Sequence, residues 1–222
     1  MTVASAFLFA FPTLFSIINP IGGALIFNEA TRALPARDRR WVAGRIGIYA
    51  LLILLGALWG GAYVLNFFGV SLAALRIAGG AVVALSAWAL LMARDHHEAQ
   101  QRRRAEAAPE DTRRHAVEMA FFPLTMPYTT GPGTIAVAIA LAAVRPSNGV
   151  GLLDFFGGVT AAAVANALIV WLSYYFADRV TAWMSASARN IVSRLSAFLL
   201  LCIGVQILLT GMGDAVAAWQ AK

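Results

Sequence analysis

Charge is scarce in this chain and unevenly spread. Only 13% of its 222 residues are charged, against about 25% in a soluble domain. Six long windows, Val3–Phe27, Ile46–Phe68, Ile77–Ala93, Met119–Val144, Phe155–Ala177 and Leu195–Gly213, contain no Asp, Glu, Lys or Arg. Glu118, Asp154, Asp178 and Asp214 stand at their ends, and all three histidines (His96, His97, His115) lie outside them. An intramembrane hydrolase or metalloenzyme would need acids, bases or imidazoles at depth. The chain is therefore read as no enzyme, with no cofactor and no metal. A proton relay through buried carboxylates is equally missing. Cys202 is the single cysteine, which excludes an intrachain disulfide and a multi-cysteine metal site. It is expected to be a small buried hydrophobe. The N-terminus has neither a basic n-region nor a convincing cleavage site, so it is expected to be a first membrane segment and not a removed signal.

Hydrophobic residues make up 60% of the chain, and mean hydropathy is +0.72. A span needs about 20 apolar residues, and the six windows meet that length or come close. Fourteen of the seventeen Lys and Arg residues fall after the first, third and fifth windows; only Arg76, Arg145 and Lys222 fall on the other side. The positive-inside rule then places three basic loops in the cytoplasm and both termini outside. That placement accounts for the Arg102–Arg104 triplet without nucleic acid. Trp41, Trp183 and Trp219 fall near window ends, where aromatic belts form.

A polar stretch over 94–116 divides residues 1–93 from 117–222, with three windows in each half. An odd number of spans forces the halves into opposite orientations. "RIAGGAVVAL" from Arg76 matches "RLSAFLLLCI" from Arg194 in position and character. The fold expected is an all-α membrane protein of six transmembrane helices, built as two inverted three-helix repeats with broken first and fourth helices. Secondary transporters use this architecture.

The breaks are "INPIGG" (Ile18–Gly23) and "TGPGTI" (Thr130–Ile135). Asn is a favoured N-cap and Pro a favoured first helical residue. A half-helix is therefore predicted to start at Pro20, capped by Asn19, and another at Pro132, with Gly131 at the cap. Each start carries unpaired N–H groups and about half a positive charge, which suits a carboxylate. Thr129, Thr130 and Thr134 add hydroxyls, while Gly22, Gly23 and Gly133 leave room for a ligand near the backbone. Asn166 and Gln206 sit mid-window; each either faces a cavity or bonds between helices. Gly56 and Gly60 are read as helix packing, and Thr160 and Ser173 as bonded back to their own helix. Either broken segment is also open to being a re-entrant hairpin.

"NPIGG", "PLTMPYTTGPGTI" with its P-x-x-x-G-P-G-T-I pattern from Pro127 to Ile135, and "FGVSLAALRIAGGAVVAL" from Phe68 resemble the MarC family of bacterial inner-membrane proteins. The likeness extends over nearly the whole chain. It implies a six-span inner-membrane protein and, since some relatives are described as carriers of glycine and alanine, a transporter of small neutral amino acids. The partners expected are a small-molecule substrate and the lipid bilayer, with a coupling ion (sodium or proton) and a homo-oligomer left open. The long Arg/Ala-rich central stretch departs from the family pattern. It keeps a rival reading open, a non-transporting scaffold or regulator acting through its cytoplasmic loop.

Overall fold

A computed structural model describes residues 2–32, 34–92, 120–146, 151–182 and 186–220. The 94–116 stretch, its three histidines and Trp183 lie outside the described residues. Those described are helical, with no strand among them. In order they form α1 (Val3–Ile18), α2 (Pro20–Ala30), α3 (Ala36–Phe67), α4 (Leu72–Met92), α5 (Ala120–Thr129), α6 (Pro132–Ala143), α7 (Leu152–Tyr175), α8 (Ala177–Ala182) and α9 (Ala186–Gln220).

Five helical runs are long and apolar enough to cross a membrane: Val3–Asn28, Ala36–Phe67, Leu72–Ala89, Leu152–Tyr175 and Arg194–Gln220. The fourth expected window is different. It is divided between a wide-turned α5 and a 12-residue α6, and a helix of that length rises only about 18 Å, short of a hydrocarbon core of about 30 Å. Helix α3 also begins well before its window, so Arg37, Arg39, Arg40 and Arg45 lie on helix. Proline at its N-cap starts it there.

Contacts between helices give their directions. Val3 and Ala6 meet Gly158, Phe11 meets Asn166, and Gly23 meets Tyr174, so α1–α2 runs parallel to α7. Tyr49 packs on Phe121 and Gly61 on Ile139, so α5–α6 runs parallel to α3 over about 18 Å. Neither broken segment doubles back between these contacts, as a hairpin would. Gly80 meets Gly204 and Leu208, and Gly211 meets Arg76, which makes α4 and α9 antiparallel. Helix α3 is antiparallel to α7, through Gly47 on Trp171 and Trp59 on Thr160 at 3.1 Å.

The core runs along α1, α3, α6 and α7 and includes Leu14, Ile46, Leu54, Leu58, Ala138, Phe155, Val159 and Val170. Side chains facing away are large and apolar, including Leu52, Leu85, Phe198 and Leu209. An apolar exterior suits lipid as solvent, since a soluble fold would place polar groups there. At one end Arg39 pairs with Asp178 and bonds Asn28, and Arg40 lies 5.3 Å over the Tyr175 ring. At the other, Arg76 pairs with Asp214. Gly56 and Gly60 correct the packing expectation: a Cβ at either would meet nothing within 4 Å. Thr160 accepts from the Trp59 indole across to another helix.

Candidate functional site

The two breaks are made by different local chemistry. At the first, Pro20 has no N–H, and its ring denies the preceding residue the right-handed helical conformation. Asn19 takes the left-handed region instead, at φ 46° and ψ 64°. It is the one non-glycine residue with positive φ among those described, and asparagine enters that region more readily than most. Its N–H donates to the Phe15 carbonyl at 3.0 Å, and its own carbonyl accepts from Gly23 N at 2.9 Å. Helical bonding therefore runs through the break. The side-chain Oδ1 accepts from Gly22 N at 3.2 Å and caps α2.

At the second break the backbone is irregular before α6 begins. Phe122 (φ −127°, ψ 123°) and Met126 (φ −112°, ψ 122°) are extended, and each precedes a proline, which favours that conformation. Bonds then widen to five residues: Thr130 N donates to the Thr125 carbonyl at 2.8 Å. The Thr125 and Thr129 hydroxyls donate to the carbonyls of Ala120 and Leu124 at 2.6 and 2.7 Å. The two threonine hydroxyls thus add bonds to carbonyls inside the widened turns, where no bulk water reaches. Gly131 is extended, Pro132 opens α6, and no side chain at the cap position serves the first N–H groups.

Asn19, Pro20 and Gln206 share a cleft of ≈ 540 Å³ with Phe15, Ser16, Ile21, Leu199, Cys202 and Ile203. It lies between the first break and α9, and no charged side chain lines it. Leu199, Cys202, Ile203 and Gln206 recur at the three-to-four residue spacing of one helix face, the signal by which the α9 wall was readable. Cys202 is exposed on that wall, which corrects the expectation of a buried thiol. An apolar sequence context does not separate an inward from an outward face.

The glycines do not floor this cleft. A Cβ at Gly22 would stand 2.6 Å from Asn19 Nδ2 and 2.9 Å from Ser196 Cβ. At Gly23 it would stand 2.3 Å from the Tyr174 hydroxyl, and at Gly133 2.0 Å from Val83 Cγ2. Neighbouring helices fill the room expected for a ligand, because helices in a bilayer associate by the close contact that small residues permit. Thr129, Thr130, Gly131, Gly133 and Thr134 are all buried, away from the cleft lining. Asn166, 1% exposed, donates from Nδ2 to Ala162 O at 2.9 Å and across to Phe11 O at 3.3 Å. Its Oδ1 has no hydrogen-bond partner among the described residues.

Tyr174 escaped the sequence reading because nothing local marks it. Its hydroxyl lies 2.8 Å from Thr129 Oγ1 and its ring stacks on Phe27 at 5.0 Å.

Comparison with known proteins places the chain among integral membrane proteins. The model of the MarC family integral membrane proteins matches residues 4–216. A UPF0056 membrane protein of Methanocaldococcus jannaschii is 34% identical over 95% of this chain and 97% of its own length. A UPF0056 membrane protein of Archaeoglobus fulgidus is 31% identical over 96% and 95%. The UPF0056 inner membrane protein MarC of Citrobacter koseri is 29% identical over 93% and 94%. No solved structure matches. Matched by that family model over nearly its whole length, and sharing about a third of its residues with full-length relatives, this chain belongs to the MarC family of integral membrane proteins.

Proposed function

We propose that this protein transports small neutral solutes, with glycine and alanine the first to test, by alternating access between two inverted three-helix repeats. The observation that carries the reading is the uncharged cleft of ≈ 540 Å³ at the first break. Its polar groups are two amides and a hydroxyl, from Asn19, Gln206 and Ser16. Such groups hydrogen-bond a neutral or zwitterionic solute and offer nothing to balance an extra charge.

Packing supports the repeat. The first segment runs parallel to the fifth and the second to the fourth, while the third and sixth cross antiparallel. The second break lies on α4 through Gly79 and Ala136, and the first on α9 through Gly22 and Ser196. Exchanging the halves turns each contact into another, as a two-fold axis in the membrane plane requires. In this reading Asn19, Pro20 and Gln206 meet the solute first. The start of α6, which Gly131 leaves without a side-chain cap, takes its carboxylate at Gly133 and Thr134 once α4 carries Val83 away from Gly133. The orphan Oδ1 of Asn166 offers an acceptor for its ammonium group. The basic ends of α3 and α7 face the cytoplasm, and both termini lie outside.

The test is uptake of labelled glycine, alanine, glutamate and lysine by liposomes carrying the purified protein, under sodium and proton gradients. Saturable uptake of the neutral pair, with protection of Cys202 from a small maleimide by the same solutes, is the expected result. Absence of uptake under both gradients, from protein that shows a cooperative thermal transition, sinks the proposal.

A further inference from the structure

The start of α2 is held between two neighbours. Gly22 lies against Ser196 of α9, the helix that forms one wall of the cleft. Gly23, the next residue around the helix, lies against the Tyr174 hydroxyl. Tyr174 is 3% exposed and stacks on Phe27, one turn further along α2, at 5.0 Å and 17°. The same hydroxyl reaches Thr129 Oγ1 at 2.8 Å. Thr129 has one hydroxyl proton, and it is directed at the Leu124 carbonyl at 2.7 Å. Tyr174 is therefore the donor in the tyrosine–threonine bond, and Thr129 receives it on a free lone pair. One side chain thus touches the first break through its ring and hydroxyl and the second break through its hydrogen bond to Thr129.

We propose that Tyr174 ties the two breaks together, so that the start of α2 and the wide-turned α5 shift as one when the cleft opens or closes. It is a positioning residue: it lies outside the cleft lining and acts on the cleft through α2. The inference rests on the transport reading for its purpose and on the contacts for its mechanism. A tether is needed because each repeat has its own break, and a site shared by both must change at the two together. A hydrogen bond sealed from water has no solvent to replace it, so its loss leaves Thr129 and α2 free to move separately.

The experiment uses the full-length protein and its native Cys202 as reporter of the cleft. Tyr174→Phe keeps the ring on Phe27 and removes only the hydroxyl; Thr129→Val removes the acceptor. Each is expected to change the Cys202–maleimide rate by about fivefold, the population shift that one lost neutral hydrogen bond supports. The double variant is expected to go no further than either single one. Unchanged rates in both single variants, or effects that multiply in the double variant, overturn the tether. A second measurement guards against simple misfolding. Gly23→Ala places a Cβ 2.3 Å from the hydroxyl, with the next ring atoms at 3.1 and 3.2 Å. It is expected to lower the thermal midpoint in detergent, and adding Tyr174→Phe is expected to restore most of the loss. A double variant no more stable than Gly23→Ala alone also overturns the proposal. Neither readout needs a transported solute. If wild-type liposomes take up nothing while both readouts behave as expected, the transport reading falls and the tether stands. Normal uptake with an unmoved Cys202 rate gives the reverse.

Discussion

Asn19 has two jobs that substitution can separate. It holds the left-handed turn at φ 46°, and its Oδ1 accepts from Gly22 N at 3.2 Å. Asn19→Ala loses both. Removing a side-chain cap in favour of alanine costs about 1 kcal/mol. Placing alanine in the left-handed region adds about 1 kcal/mol, at the low end because asparagine already bears part of that strain. The sum is about 2 kcal/mol. Asn19→Gly loses the cap at a cost of a few tenths of a kcal/mol and bears no steric strain. Asn19→Val fares worst, since a β-branched side chain fits that region least. The expected order of stability is Asn, Gly, Ala, Val. The gap between glycine and alanine is more than tenfold in the unfolding equilibrium. Unfolding by SDS titration in mixed micelles, followed by helical circular dichroism, measures it. If the alanine variant matches the glycine variant, the left-handed turn is refuted. The glycine variant then tests binding: a folded protein without that amide in the cleft should take up glycine poorly, and wild-type uptake would remove Asn19 from the solute path.

Four further outcomes follow from the same geometry. Gly133→Val should destabilise the fold and abolish uptake, because even its Cβ falls 2.0 Å from Val83; Val83→Ala should recover part of the thermal midpoint. Asn166→Leu removes two donated bonds together with an unpartnered acceptor, so stability should change by less than about 1 kcal/mol while labelled-glycine uptake drops if the ammonium assignment holds. Arg39→Gln removes the ion pair with Asp178, whose side chain is half exposed; solvent screening limits the loss to about 1 kcal/mol, and the thermal midpoint in detergent checks it. In a Cys202→Ser background, cysteines introduced for Ala36 and Ser71 should react with an impermeant thiol reagent from opposite sides of the membrane, and labelling from one side would refute the assigned directions.

Much of the fold was legible in the chain because its causes are local. Windows without charge announce apolar helices, since a bilayer leaves each backbone group to be satisfied within its own helix. Pro20 after Asn19, and Pro132 after Gly131, announce helix starts, since proline lacks the N–H a helix interior needs. Both starts are where the sequence placed them. The split of the fourth window had a readable signal that hydropathy averaging hides: Pro123 and Pro127 each constrain the residue before them, and both of those residues are extended. The widening to five-residue bonds, and the threonine hydroxyls that bond carbonyls within it, required the coordinates.

The candidate site divides along the same line. Asn19, Pro20 and Gln206 line one cleft, while Asn166 and the threonines of the second break are buried elsewhere. The glycines show the limit most plainly. Their missing side chains are written in the sequence, but the same absence serves a ligand or a neighbouring helix. Only the packing showed Ser196, Tyr174 and Val83 in that space. By itself the sequence determined where the two half-helices begin, at Pro20 and Pro132, because those choices depend on backbone chemistry within a few residues. The tertiary structure decided which faces meet, that Cys202 is exposed beside Asn19, and that Tyr174 bridges the two breaks, because contacts between residues far apart in the chain leave no local trace.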